Sequence, residues 1–278
     1  MEFSNISNII KDGNEAYKLL EKSLPTVKKV LEYLKHRRLK IAIFGAGGTG
    51  KTTLGKVLSG RLDLSNLPLY SYQESLKIEK YEFKDDVSGS IVVVPGQPRR
   101  KVEMDNCLKS VEKGEFDLVI HVVSLGYHSF NHLSYQRIYP EQGGITVDQF
   151  LEQYTRDHRQ KEIEVLKKSL QRSVKMASRK KIAMITLITK EDLWWQQRDS
   201  INAHYKDGEY NDLIKNIEDD RGTDKFTHEY CSVSLIRKNF ISGNNEILLL
   251  TTSGYEDIVK AERLSCLLKT IGELCDIT

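Results

Sequence analysis

The sequence predicts an α/β fold, a mainly parallel sheet with helices on both faces, on three observations. Short apolar runs recur at residues 39–44, 76–83, 91–94, 118–123, 182–188 and 247–250. Helical periodicity fills the intervals between them. The runs 118–123 and 182–188 are apolar at nearly every position, as strands covered on both faces are.

The elements follow in order. Residues 1–38 read as a helical segment in two pieces, with Ile6, Ile9, Ile10 and Leu20 in one, Val27, Val30, Leu31 and Leu34 in the other, and a break near Pro25. The basic His36-Arg37-Arg38 gives way to a short apolar strand at 39–44 that ends in glycine, and a helix opens at Thr53. Met104, Leu108 and Val111 repeat at helical spacing, as do Val147, Phe150, Leu151 and Tyr154, and finally Ile258, Ala261, Leu264, Leu267 and Leu268. A main domain over 39–278 therefore follows the helical preface. Two stretches read as insertions in it: 124–180, loop-like around Gly126, Pro140 and Gly143-Gly144 and then a charged helix, and 195–244, polar before Tyr230-Cys231-Ser232-Val233-Ser234-Leu235.

Composition narrows the class. The 278 residues are 39% hydrophobic, enough for one large domain, and 42 basic residues against 39 acidic leave a net charge of +3. So even a balance gives no charge signature of a nucleic-acid binder. Cys107, Cys231, Cys266 and Cys275 lie far apart without a CxxC pair, so neither a disulfide framework nor a zinc site is expected, and a reducing cytosol is the natural setting. Glu2, Asn5 and Asn8 interrupt the first apolar residues, and no apolar run approaches the length of a span, so neither a signal peptide nor a transmembrane segment is expected.

The sharpest chemical signal is Gly45-Ala46-Gly47-Gly48-Thr49-Gly50-Lys51-Thr52, directly after the first strand and before the first helix. Phosphate oxygens are bound at least cost by a loop whose backbone N–H groups point inward, and glycines permit that path. Gly45, Gly47, Gly48, Thr49, Gly50 and Thr53 are the expected backbone cradle, Lys51 places its ammonium on the outer phosphates, and Thr52 is spaced to ligate Mg²⁺. The competing reading, a glycine-rich turn followed by chance by Lys-Thr, does not explain the strand before it and the helix after it.

Two further elements sit after strands. Thr189-Lys190-Glu191-Asp192 lies at the C-terminal end of the run 182–188, where open α/β sheets bind ligands. The carboxylate of Asp192 can accept both the N1 and the N2 hydrogens of guanine, a donor pair adenine lacks, and Thr189 and Lys190 accompany it; the bland alternative is a solvated turn. Thr252-Ser253-Gly254 follows the run 247–250, where Ser253 and Gly254 let a backbone amide reach guanine O6, or simply cap the last helix.

Together these strings resemble the Ras-like small GTPases of the P-loop class. The resemblance covers roughly residues 39–62, 75–123 and 181–272. It implies a P-loop GTPase-like sheet, GTP and GDP as ligands, Mg²⁺ as cofactor and a protein effector or regulator as partner. The middle motif departs from the family. Val93-Val94-Pro95-Gly96-Gln97 puts a valine where the family has the aspartate that steadies the Mg²⁺ shell, and is similar to the bacterial gliding-motility GTPases that switch cell polarity. By the resemblance Gly96 carries the amide that senses the γ-phosphate and Gln97 orients the attacking water. The family's metal-closing threonine has no clear counterpart; Ser75 is the better candidate and Ser71 the other, and Arg99-Arg100 are either phosphate-directed or surface charges.

His121, His128 and His132 match no zinc spacing, and Trp194-Trp195 read as loop packing. The expected function is a GTP-binding switch with slow hydrolysis acting through protein partners. Two rivals stay open: a GTP-holding scaffold that hydrolyses negligibly for want of an acid at Val93, and a P-loop ATPase or kinase.

Overall fold

The computed structural model describes residues 39–59, 61, 78–82, 90–94, 96, 105–106, 109–110, 115–129, 145–174, 181–241 and 247–275. The helical preface 1–38, Ser71, Ser75, Gln97, Arg99, Arg100 and His132 lie outside those residues.

In chain order the elements are β1 Lys40–Phe44, α1 Lys51–Leu58, β2 Glu79–Glu82, β3 Ser90–Val93, β4 Leu118–Val123, α2 Val147–Val174 and β5 Ile182–Thr189. After short helical turns between Glu191 and Lys206 come α3 Glu209–Arg221, β6 Phe226–Val233, β7 Phe240–Ile241, β8 Ile247–Leu249 and α4 Asp257–Leu274. Six strands make one sheet in the order β2-β3-β1-β4-β5-β6, and β7 and β8 make a separate two-stranded one. Within the large sheet only β2 runs antiparallel; β1 pairs in parallel with both β3 and β4, β4 with β5, and β5 with β6. The connections leave β1 toward β3 on one side and β4 on the other. The loop after β1 therefore sits at the reversal of strand order, the place where such sheets open a crevice for ligands.

Burial explains why β4 and β5 carry no polar alternation. All six residues of β4 and all eight of β5 are buried, because helices cover both faces. On one face Phe44, Val119, Val123 and Met184 pack with Leu151, Tyr154 and Leu166 of α2 and with Tyr210 and Ile214 of α3. On the other, Ile43, Ile91, Ile120 and Leu187 pack with Leu54 and Leu58 of α1 and with Leu267 and Ile271 of α4. Gly55 of α1 lets that helix lie flat on β3: a Cβ there would come within 2.7 Å of Val93 Cγ2 and 2.8 Å of Tyr81.

The structure departs from the sequence expectation in three places. The sixth strand of the large sheet is β6, within the stretch 195–244, whereas Ile247–Leu249 pairs antiparallel with β7. An edge strand needs one apolar face only, so Thr227, His228, Glu229 and Tyr230 disguise β6; conversely Ile247 is 56% and Leu250 61% exposed, apolar residues that fill no core. The apolar cluster at Val147–Tyr154 and the charged stretch after it form one helix, α2, whose buried positions 150, 151, 154, 155, 158, 162, 163 and 166 follow helical spacing. Finally, α1 begins at Lys51, two residues before Thr53, with Gly50 as its N-cap at φ 98°.

Candidate functional site

The loop after β1 takes a path only glycine permits at its critical points. Gly45 has φ 145° and a Cβ there would meet the Val122 carbonyl at 2.2 Å; Gly48, at φ 78°, lies so close to Ser129 that a Cβ would be 2.7 Å from its nitrogen. Thr49 Oγ1 donates to the Ala46 carbonyl at 3.1 Å, and Lys51 Nζ donates to the same oxygen at 2.6 Å. Gly47 and Gly50 are half-buried, and Thr52 and Thr53 open α1 half-buried, their hydroxyls on the first turn of a helix whose N-terminal dipole favours anions. Gly96, beyond β3, closes on this loop: a Cβ there would lie 2.4 Å from the Gly45 carbonyl and 2.5 Å from Lys51 Nζ. Val93 is 1% exposed and packs on Gly55, an apolar contact rather than a polar ligand.

The element after β5 docks onto the same loop. Thr189 Oγ1 lies 2.6 Å from the Thr49 carbonyl and 3.0 Å from that of Val123. Lys190, in the left-handed region at φ 58°, sends Nζ to the Gly48 carbonyl at 2.9 Å, to Ser129 Oγ at 3.0 Å and to the Tyr127 carbonyl. The phosphate-type loop and the Thr-Lys-x-Asp string, 140 residues apart in sequence, are one structural unit.

Asp192 begins the next turn. Its Oδ1 accepts from Ser234 Oγ at 2.5 Å and its Oδ2 from the Lys238 N–H at 3.1 Å. Its main-chain carbonyl accepts from the Thr252 N–H at 2.8 Å and from Thr252 Oγ1 at 2.6 Å. Ser253 and Gly254 form an exposed turn beside the indole of Trp195, with Gly254 at φ 88°, so the string 252–254 is held to the Asp192 backbone rather than at a strand end of the large sheet. The residue that does occupy that strand end is Ser234, directly after β6 and fully buried. Sequence reasoning missed it because β6 was hidden; a small residue directly after the β-branched Val233 in Cys231-Ser232-Val233-Ser234 was the available signal. Trp194 is 1% exposed and its Nε1 donates to the Thr189 carbonyl at 2.9 Å, so it packs the loop as expected.

Electrostatics mark the two lysines. Burial pushes the ammonium of Lys51 down to about 7 against the pull of Glu79, and that of Lys190 down to about 7 against Asp192 and Glu162. Each is a desolvated cation facing carbonyls, a site that an anion would relieve. Burial also raises the Asp192 carboxyl, with Ser234, the Lys238 N–H and Lys190 opposing.

The pH dependence follows with a definite sign. In the unfolded chain these lysines hold their protons up to their ordinary value of 10.5, so between pH 7 and 10.5 the unfolded state binds more protons than the folded one and stability rises with pH. Below pH 7 the full cost of the buried charges is present. The thermal midpoint of nucleotide-free protein is expected to rise from pH 7 to pH 9, and a bound polyphosphate, which keeps Lys51 protonated, is expected to flatten that rise. Scanning calorimetry at both pH values, with and without nucleotide, checks it; equal slopes with and without nucleotide would count against phosphate contact by Lys51.

His121 and His128 are both buried, at 0% and 3% exposure. His121 stacks on Phe44 and Tyr210 within the sheet–helix core, and burial pushes it down to about 3. Among the described residues no group of three or more His, Cys, Asp or Glu side chains is placed to hold a metal ion. No described helix is long and apolar enough to cross a membrane.

The strand order, with only β2 antiparallel, and a glycine cradle at the switch point define the P-loop GTPase-like α/β class. No protein-family model and no curated protein matches the chain. Among solved structures, the SRb-GTP/SRX complex of the signal recognition particle receptor from Chaetomium thermophilum is similar at 11% identity and TM-score 0.40, covering 72% of this chain and 92% of that one. The ADP-ribosylation-factor-like GTP-binding protein (small COPII coat GTPase SAR1) from Encephalitozoon cuniculi, in complex with GDP, is similar at 13% identity and TM-score 0.37, covering 92% and 91%. A point mutant of NFeoB from S. thermophilus bound to GMPPNP is similar at 15% identity and TM-score 0.34, covering 81% of this chain and 61% of that one. Likeness at this level adds nothing to what the strand order shows.

Proposed function

We propose that the protein binds guanine nucleotides and hydrolyses GTP slowly, as a switch that acts through protein partners. One observation carries the nucleotide site: the Thr189-Lys190-x-Asp192 string is hydrogen-bonded to the glycine cradle through the carbonyls of Thr49 and Gly48, so a base reader and a phosphate grip share one frame. Gly45 to Lys51 hold the phosphates and Lys51 exchanges its bond to Ala46 for the outer oxygens. Lys190 covers one side of the base. Asp192, oriented by Ser234 and Lys238, accepts from the guanine N1 and N2 donors, and the amides at the end of β6 near Ser234 or in the Ser253-Gly254 turn reach O6.

The residues fit Mg²⁺. Thr52 offers a hard oxygen in the first turn of α1, and Mg²⁺ in phosphate sites takes one or two protein oxygens together with phosphate oxygens and water. Thr52, with Ser75 as second ligand, would hold the ion, which when bound neutralises charge on the outer phosphates. The chain's own contribution to the reaction is positioning: Lys51 fixes the terminal phosphate, the Gly96 amide lies against the cradle, and Gln97 orients the attacking water.

A second reading has its own observation. Asp192 is 1% exposed and both its oxygens already accept protein hydrogen bonds, so a base must displace part of its surroundings to reach it. In that reading Asp192 is a brace, and the site takes nucleoside triphosphates without regard to the base. Chromatography of the nucleotide retained on purified protein, with turnover measured in Mg²⁺, separates the two: GTP or GDP supports the first, and equal retention of ATP the second.

Hydrolysis has its own test. Gln97→Leu is expected to lower GTP turnover about tenfold or more while leaving GTP affinity nearly intact, because the glutamine acts on the water and hardly on the ground state. Wild-type turnover is expected well below the roughly 1 to 10³ per second of ordinary enzymes. Identical measurable rates for the two proteins would remove Gln97 from that role, and undetectable turnover by both, even with cell extract, would favour the scaffold.

A further inference from the structure

Behind the nucleotide frame lies a buried carboxylate that the reaction does not use. Glu162, on α2, is 0% exposed and its two oxygens accept four hydrogen bonds from two separate segments, the loop after β4 and the helical turn that carries Tyr205. Oε1 accepts from the main-chain N–H of Ser124 at 2.8 Å and of Gly126 at 3.3 Å, and from His128 Nε2 at 2.8 Å. Oε2 accepts from the Tyr205 hydroxyl at 2.6 Å, and that hydroxyl in turn accepts from the Leu125 N–H at 2.9 Å. Burial disfavours its ionisation, but the hydrogen bonds from His128, the Tyr205 hydroxyl and the Ser124 N–H oppose it and hold it below its ordinary range, so it stays a carboxylate. Burial keeps His128 below its ordinary range, in the neutral form with Nε2–H donating.

Every one of these bonds ends on the loop after β4 or on Tyr205, which steadies it. That loop is under local strain: Leu125 has φ 51°, a conformation uncommon for a leucine. Gly126 at φ 80° presses on α2 so closely that a Cβ would lie 2.1 Å from the Thr155 carbonyl. The far end of the same loop touches the nucleotide frame. The Ser129 N–H donates to the Gly48 carbonyl at 3.0 Å, and Lys190 Nζ is bound by the Tyr127 carbonyl and by Ser129 Oγ.

We propose that Glu162 is a positioning residue for nucleotide retention: through residues 124–129 it holds Gly48 of the cradle and Lys190 of the base motif in register, so that α2 sets the rate at which nucleotide leaves. The inference rests on the nucleotide site proposed above. Glu162 touches neither phosphate nor base. It acts by fixing the loop to which both halves of the site are tied, and a carboxylate is suited to this because one oxygen can gather three N–H donors whose parent backbone is strained.

The test uses the full chain loaded with N-methylanthraniloyl-GDP in Mg²⁺ and chased with excess GDP. Glu162→Gln keeps the shape and one acceptor oxygen but loses the charge, and is expected to speed release about tenfold or more. Hydrogen exchange supplies the readout that a merely structural role would not move. In Glu162→Gln the amides of 124–129 are expected to lose protection while those of β4 and β5 keep theirs. Tyr205→Phe, which removes only the bridging hydroxyl, is expected to act in the same direction by a few-fold and stands in if Glu162→Gln does not fold. Unchanged release from folded variants overturns the inference alone, as does faster release that accompanies equal loss of protection throughout the sheet. Failure of the wild-type protein to retain the fluorescent GDP overturns the nucleotide reading and this inference with it.

Discussion

Lys51→Ala is expected to lower affinity for GTP and GDP by about 100- to 1,000-fold, the loss of two charge-assisted bonds at about 1.5–3 kcal/mol each with partial compensation. The direction is set by the unliganded geometry. Lys51 is 7% exposed, its ammonium is pushed down to about 7 by burial, and its one described bond is to the Ala46 carbonyl at 2.6 Å. An arriving phosphate therefore meets a cation that gains strongly from it. The same facts predict that the fold tolerates the change: removing a poorly solvated ammonium offsets the cavity left by its stem, and the nucleotide-free thermal midpoint should move by only a few degrees. Calorimetric titration and a melting curve together check this, and unchanged affinity in a folded variant would sink the phosphate-cradle reading.

Asp192→Asn is expected to weaken GTP about 100-fold and to favour xanthosine triphosphate, whose C2 carbonyl can accept from the new amide. The surroundings dictate how the asparagine sits. The Lys238 N–H can only donate, so the side-chain oxygen must face it, and the amide is left toward Ser234, whose hydroxyl can turn and accept. The variant thus keeps its bonds to the protein at a cost of about 1 kcal/mol. Competition binding with GTP, XTP and ATP reads the outcome. If wild type holds ATP as well as GTP, Asp192 is a brace and not a base reader.

How much of this was legible in the sequence differs by element. The cradle at Gly45 to Thr52 was legible because its chemistry is local: the residues that shape it are neighbours in the chain, and the φ values of Gly45, Gly48 and Gly50 show why glycine stands there. Strands β1, β4 and β5 were legible because burial on both faces leaves few polar positions to confuse the pattern. β6 was not. As an edge strand with Thr227, His228, Glu229 and Tyr230 in sequence, it needs apolar residues on one face alone, and Ile247–Leu249 imitated it with three apolar residues that pair with β7 and not with the large sheet. That misplacement carried Ser234 out of view, while the strand that Ser253 and Gly254 follow, β8, lies outside the large sheet.

By itself, then, the sequence determined the class of fold, the place of the glycine loop after β1 and the Thr-Lys-x-Asp string after β5, the latter two set by short-range spacing along a few consecutive residues. Tertiary structure alone decided which strand flanks β5, that Ser234 and Lys238 orient Asp192, that Lys190 reaches Gly48, and that Glu162 stands behind the loop joining them. The physical reason is common to all four. A hydrogen bond between residues 34 to 142 positions apart leaves no periodicity in the chain, because its geometry exists only once parallel strands and their covering helices have brought the partners together.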